Sequence, residues 1–126
     1  MPWKSHYLAN LLRTACSDKK LSNKEFLALL EIEKRIKARI EDYINGHALA
    51  EEDESPRIEQ NPLLVRRQLL DMYIIALIDE KLSEVEQEMI DRYIEETNIP
   101  KRIAEDIKES AMERVNEILE DMLKES

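Results

Sequence analysis

The sequence predicts an all-α fold, a single-domain helical bundle of about five to seven helices containing two pseudo-symmetric helix-loop-helix repeats. Three observations carry this. Across 126 residues Gly occurs once and Pro four times, too few for the many turns of a sheet-rich fold. Glu, Lys, Leu, Ile and Arg dominate, and all but Ile are good helix formers. One pattern, Asp-x-Lys-Leu-Ser-x-x-Glu, occurs twice, 61 residues apart. The length suits one domain, residues 1–126, with a core that buries about two thirds of the unfolded surface without staples.

Taken in order, Trp3, Tyr7, Leu8, Leu11, Leu12 and Ala15 recur at steps of three and four and form the apolar face of a first helix ending near Cys16. A second helix is expected after Ser22, with Phe26, Leu29, Leu30, Ile36, Ile40, Tyr43 and Ile44 as its buried stripe. Its outer face carries Glu31, Lys34, Arg35, Lys37 and Arg39. Glu31 with Arg35 and Glu33 with Lys37 are spaced as favourable helical pairs. Asn45-Gly46 is expected to stop this helix, because Gly46 can take the left-handed conformation, after about 35 Å. The segment from about 47 to 60, with Glu51, Glu52, Asp53 and Glu54, reads as a mobile acidic loop.

Asn61-Pro62 is a helix start, Asn as cap and Pro at the first helical position. The helix it opens is apolar on nearly all sides in its second half, which places it at the centre of the bundle. Another helix follows Ser83, with Val85, Met89, Ile90, Tyr93 and Ile94 inward, and stops near Asn98. Pro100 opens the C-terminal region, whose stripe is Ile103, Ile107, Ala111, Val115, Ile118, Leu119, Met122 and Leu123. Ser110 with Glu113 also has the form of a capping box, so one long helix and two short ones both fit.

The repeat gives each of its residues a physical task. Ser22 and Ser83 can cap the next helix, and Glu25 and Glu86, three residues on, can reach back to the cap amide. Leu21 and Leu82 precede the caps as hydrophobic staples, and Asp18 and Asp79 end the preceding helices. On these residues the chain resembles the TerB-like, tellurite-resistance family, all-helical domains with two helix-loop-helix repeats carrying Asp-Gly-x-(Leu/Ile/Val)-Ser-x-x-Glu. The resemblance spans about residues 5 to 110 and implies a non-enzymatic accessory domain in a stress-response context. It also implies an acidic surface at Asp18, Glu25, Asp79 and Glu86 that binds a divalent cation or a partner protein. The family Gly is replaced by Lys19 and Glu80. Either the loops are shaped differently or the residue there is strained, which weakens the first as a cation site, while the second gains Glu80 and Glu84.

Composition narrows the function classes. A net charge of -9 argues against nucleic acid, which needs a basic surface, and favours cationic partners or metal ions. Cys16 is alone and the first residues have no apolar leader, so a cytoplasmic chain is expected. No apolar run approaches a membrane span, which leaves peripheral association through a partner. His6 and His47 are expected on the first helix and in a loop, and neither forms a zinc pattern. No Gly-rich phosphate loop or activated nucleophile suggests an enzyme. The rival to the cation or partner surface is a metal-independent protein–protein adaptor. It would use an exposed helix face or the C-terminal helix, as a monomer or homodimer, with Ala111, Val115, Ile118 and Met122 as a seam.

Overall fold

The computed structural model describes residues 3–15, 22–52, 61–78 and 82–125. Among these the chain forms six helices and no strand: α1 (Trp3–Ala15), α2 (Asn23–Ile36), α3 (Ile40–Glu52), α4 (Pro62–Leu77), α5 (Glu84–Thr97) and α6 (Lys101–Glu125). The fold is all-α, as the periodicity predicts.

α4 is the central helix. It packs against α1, α2, α5 and α6 and buries Val65, Leu69, Met72, Tyr73, Ile74, Ile75 and Ala76. Asn61 caps it, accepting from the Leu63 amide at 2.9 Å with Pro62 inside the first turn. Tyr7, Leu8, Leu11 and Leu12 of α1, Ala28, Leu29 and Ile32 of α2, and Ile90 and Tyr93 of α5 join the same core. From α6, Ala104, Ala111, Val115 and Ile118 pack onto it.

The repeat extends further than the motif that announces it. α2 and α5 are each 14 residues long, each opens on a Ser capping box, and each ends on a left-handed residue, Lys37 or Asn98. Ser22 and Ser83, Lys37 and Asn98, and the first residues of α3 and α6 are all 61 positions apart. Each helix-loop-helix, α1-α2 and α4-α5, is thus followed by a third helix, so the repeated unit extends to α1-α2-α3 and α4-α5-α6. In both units the first helix packs closely on the third.

Four sequence expectations are corrected. The helix expected from Ser22 to Ile44 breaks at Lys37 (φ 57°, ψ 45°), and Asn45-Gly46 lies inside α3 instead of stopping a helix. The reason is tertiary. α3 lies along α1, and Gly46 is where the two backbones meet. A β-carbon there would stand 3.1 Å from Leu8 Cβ and 3.2 Å from the Ser5 carbonyl oxygen. The same break leaves Ile40 and Ile44 exposed, at 80% and 61%, although both belong to the stripe expected to be buried; Phe26, before the break, and Val85 of α5, expected inward, are exposed as well. The acidic loop expected over 47–60 is helical to Glu52, so His47 is a helix residue, and 53–60 lie outside the described residues. Finally, Arg35 turns inward to Asp71 instead of outward to Glu31. After Pro100 the chain is one 25-residue helix with no break at Ser110.

The α1–α3 contact has its own polar fittings. Ser5 Oγ donates to Asp42 Oδ1 at 3.4 Å, while Asp42 Oδ2 accepts from the Arg39 amide at 2.9 Å and so holds the first turn of α3. Arg13 donates to the Leu49 carbonyl at 2.7 Å. Because Ser5 pairs with Asp42 and Arg13 with Leu49, the two axes run in the same direction. Lys4 Nζ donates to the Lys37 carbonyl at 3.0 Å, fastening the α2–α3 turn to α1.

Candidate functional site

The five acidic candidates divide. Glu25 and Glu86 are buried, at 4% and 5% exposure, in reciprocal capping boxes. Glu25 Oε1 accepts from the Ser22 amide at 3.0 Å, and Ser22 Oγ accepts from the Glu25 amide at 3.1 Å. In the second copy both distances are 3.1 Å, between Ser83 and Glu86. Each carboxylate thus satisfies an amide that the first helical turn would otherwise leave without an acceptor. Asp18, Asp79 and Glu80, the other three candidates, lie outside the described residues, as does Cys16. Among the described residues no three His, Cys, Asp or Glu side chains group as a metal site. His6 is half-buried on α1, and His47 stacks edge-on against Tyr43 with ring centroids 4.6 Å apart.

Exposed acid lies on α5, the helix that the second repeat loop opens, and continues on α6 at Glu105, Asp106, Glu109, Glu113 and Glu117. Glu84, Glu88, Asp91 and Glu95 are all exposed. At about 100° per residue they fall within about 60° of one another, a single acidic stripe. Gln87 Nε2 donates to Asp91 Oδ1 at 2.8 Å along the same edge. The opposite face of α5 is the buried one, with Glu86, Ile90 and Tyr93.

A buried polar network ties the elements behind this surface. Asp71 of α4, fully buried, accepts at Oδ2 from the Tyr7 hydroxyl of α1 and from Arg35 of α2, the latter at 2.5 Å. Gln68, one turn earlier, donates to the Tyr7 carbonyl at 3.1 Å and accepts at Oε1 from the Tyr93 hydroxyl of α5 at 3.2 Å. Tyr93 also donates to the Val65 carbonyl at 2.9 Å. Burial pushes the Tyr7 hydroxyl far above the usual tyrosine range, and the neighbouring Asp71 charge pushes it further. Burial also raises the Asp71 carboxyl, against the opposing pull of Arg35 and the Tyr7 hydrogen bond. With Asp71 sealed from solvent, the network joins four helices and offers no surface for a substrate. Sequence reasoning missed it. The available signal was a carboxylate in an otherwise apolar stretch, Leu69-Leu70-Asp71-Met72-Tyr73, which demands a buried partner.

Compared with protein-family models, curated proteins and solved structures, the chain matches none. Among the described residues no helix is long and apolar enough to cross a membrane.

Proposed function

We propose that the chain is a non-enzymatic TerB-like accessory module of a stress response, and that it binds a basic partner protein on the acidic face of α5. The observation that carries this is the exposed stripe Glu84, Glu88, Asp91 and Glu95. The like-charge pairs Glu84–Glu88 and Asp91–Glu95, four residues apart, each cost the helix about 0.2–0.5 kcal/mol, offset in part by Glu84 in the first turn and by Arg92 beside Glu88 and Glu95. A complementary basic surface turns that cost into attraction and speeds encounter. The second reading is a divalent cation at the repeat loops, held by Asp18, Glu25, Asp79, Glu80 and Glu86. It is weakened by the positions of Glu25 and Glu86, which are buried and engaged as caps.

Proximity cross-linking in cells tests the partner reading, comparing the wild type with a Glu88→Gln/Asp91→Asn/Glu95→Gln variant. The variant should fold at least as stably and lose a cross-linked protein whose contact surface is basic. Retention of the same cross-linked protein by the variant refutes docking on α5.

A further inference from the structure

The turn between α2 and α3 conflicts with its own sequence, and the conflict points to a second way of folding. Its counterpart between α5 and α6, 61 positions on, reads Asn98-Ile99-Pro100. Asn tolerates the left-handed conformation, and Pro cannot continue a helix interior, so that turn is locked by composition. The first copy reads Lys37-Ala38-Arg39, three residues with good helix propensity and neither Asn nor Pro, its bend closed locally by the Ala38 amide on the Glu33 carbonyl at 2.9 Å and the Arg39 amide on Asp42 Oδ2 at 2.9 Å. Lys37 nevertheless stands at φ 57°, in the region a β-carbon disfavours.

The hydrophobic pattern agrees with the unbroken alternative. At about 100° per residue, Ile36, Ile40 and Ile44 of a continuous helix lie within about 80° of one another and prolong the stripe of Leu29 and Ile32. In the bent chain Leu29 and Ile32 are buried, but Ile40 is 80% and Ile44 61% exposed. The bend is held by contacts that α3 makes with α1, at Ser5–Asp42, Arg13–Leu49 and Gly46 on Leu8, and by Lys4 on the Lys37 carbonyl. All the contacts to α3 can be made equally well by the α1 of another molecule.

We infer that α3 is an exchangeable element: α2 and α3 join through Lys37 into one helix, and each α3 docks on the α1 of a second copy of this chain. The interface formed is the α1–α3 contact already present within the monomer, so its complementarity is built in, and a short strained hinge is the usual route to such exchange. The joined helices also bring Ile36, Ile40 and Ile44 onto one face beside the hinge, where the two copies cross. The exchange is independent of the acidic face on α5.

Sedimentation velocity from micromolar to millimolar protein, after warming and slow cooling at high concentration, tests this. A dimer that separates only slowly on dilution is expected. Lys37→Asn and Lys37→Gly, which ease the left-handed turn, should each lower the dimer association constant by about tenfold or more, since both hinges count. Lys37→Val, which worsens it, should raise the dimer fraction. In a Cys16→Ser background, Ser5→Cys with Asp42→Cys should oxidise to a covalent dimer from the dimer fraction and to an internal bridge from the monomer. Monomer alone for wild type and Lys37→Val overturns the exchange, as does a dimer whose Ser5→Cys and Asp42→Cys thiols bridge internally, or a dimer indifferent to position 37.

Discussion

Replacing Asp71 with Ala should be the most damaging single change in the core, and its cost can be worked from the structure. Asp71 Oδ2 is the acceptor for both the Tyr7 hydroxyl and Arg35. Removing it leaves the Tyr7 hydroxyl, in a fully buried residue, without its acceptor, a cost of about 1–3 kcal/mol. It also strands the Arg35 charge, and breaking a buried pair from one side typically costs about 3–5 kcal/mol. Two features pull the total toward the lower end. Arg35 is 26% exposed and can turn to water. The pair is single-pronged, with Asp71 Oδ1 and Arg35 Nε lacking hydrogen-bond partners among the described residues. About 3 kcal/mol is therefore expected in urea unfolding followed by circular dichroism at neutral pH. Asp71→Asn should cost less, because Asn keeps an acceptor for Tyr7 and carries no charge to desolvate. The two variants also separate by pH. Burial raises the folded-state pKa of Asp71 above its unfolded value. The folded protein then holds this proton more tightly, so the stability it contributes is full below the unfolded pKa and is lost as pH rises through the folded one. The wild type should lose ground to Asp71→Asn as pH climbs out of the acid range. A cost below about 1 kcal/mol for Asp71→Ala would refute the network as a keystone, and a pH-independent gap between wild type and Asn would refute the raised carboxyl.

Substitutions at three further positions probe the frame. Ser22→Ala and Ser83→Ala should each destabilise by about 1 kcal/mol in the same assay and add in combination, since each removes one cap from a different helix. Gly46→Val should destabilise by about 1–3 kcal/mol by forcing α1 and α3 apart. Gly46→Ala should do less, because better helix propensity offsets part of the crowding.

Most of the fold was legible because its signals are local. Asn61-Pro62 and the two Ser-x-x-Glu boxes of the repeat announce helix starts through hydrogen bonds made within four residues, and the structure forms these three, while the same pattern at Ser110 and Glu113 lies inside α6. The central place of α4 follows from apolar residues on all its sides. What misled was the Ile36 to Ile44 stretch. Its periodicity is that of one helix, and the contacts of α3 with α1, the close approach at Gly46 among them, break it. The correct division was nonetheless present at a distance, in Asn98-Ile99-Pro100, had the repeat been followed beyond its motif to the equivalent Lys37-Ala38-Arg39. Arg35 misled in the same manner. Its spacing from Glu31 suits a surface pair, but the demand of a buried Asp71 on another helix outweighs a surface attraction of a few tenths of a kcal/mol. At the candidate site, Glu25 and Glu86 were legible as caps and as acidic ligands alike, because one carboxylate at that spacing suits both tasks. The acidic face of α5 was present in the letters but became a surface only once Ile90 and Tyr93 fixed which side of the helix faces the core.

The division between a protein partner and a cation turns on one measurement, the thermal melt of the purified chain in chelator and then in millimolar Ca²⁺, Mg²⁺, Mn²⁺ or Zn²⁺ at matched ionic strength. If Glu25 and Glu86 serve as caps and the ligand is a basic protein, the melts superpose. An ion held about 100-fold above its dissociation constant would instead add about 2.7 kcal/mol and raise the midpoint by roughly 5–20 °C. Such a rise with one ion, abolished by Glu86→Gln, would contradict the protein-partner reading and return the repeat loops to the role of a cation site.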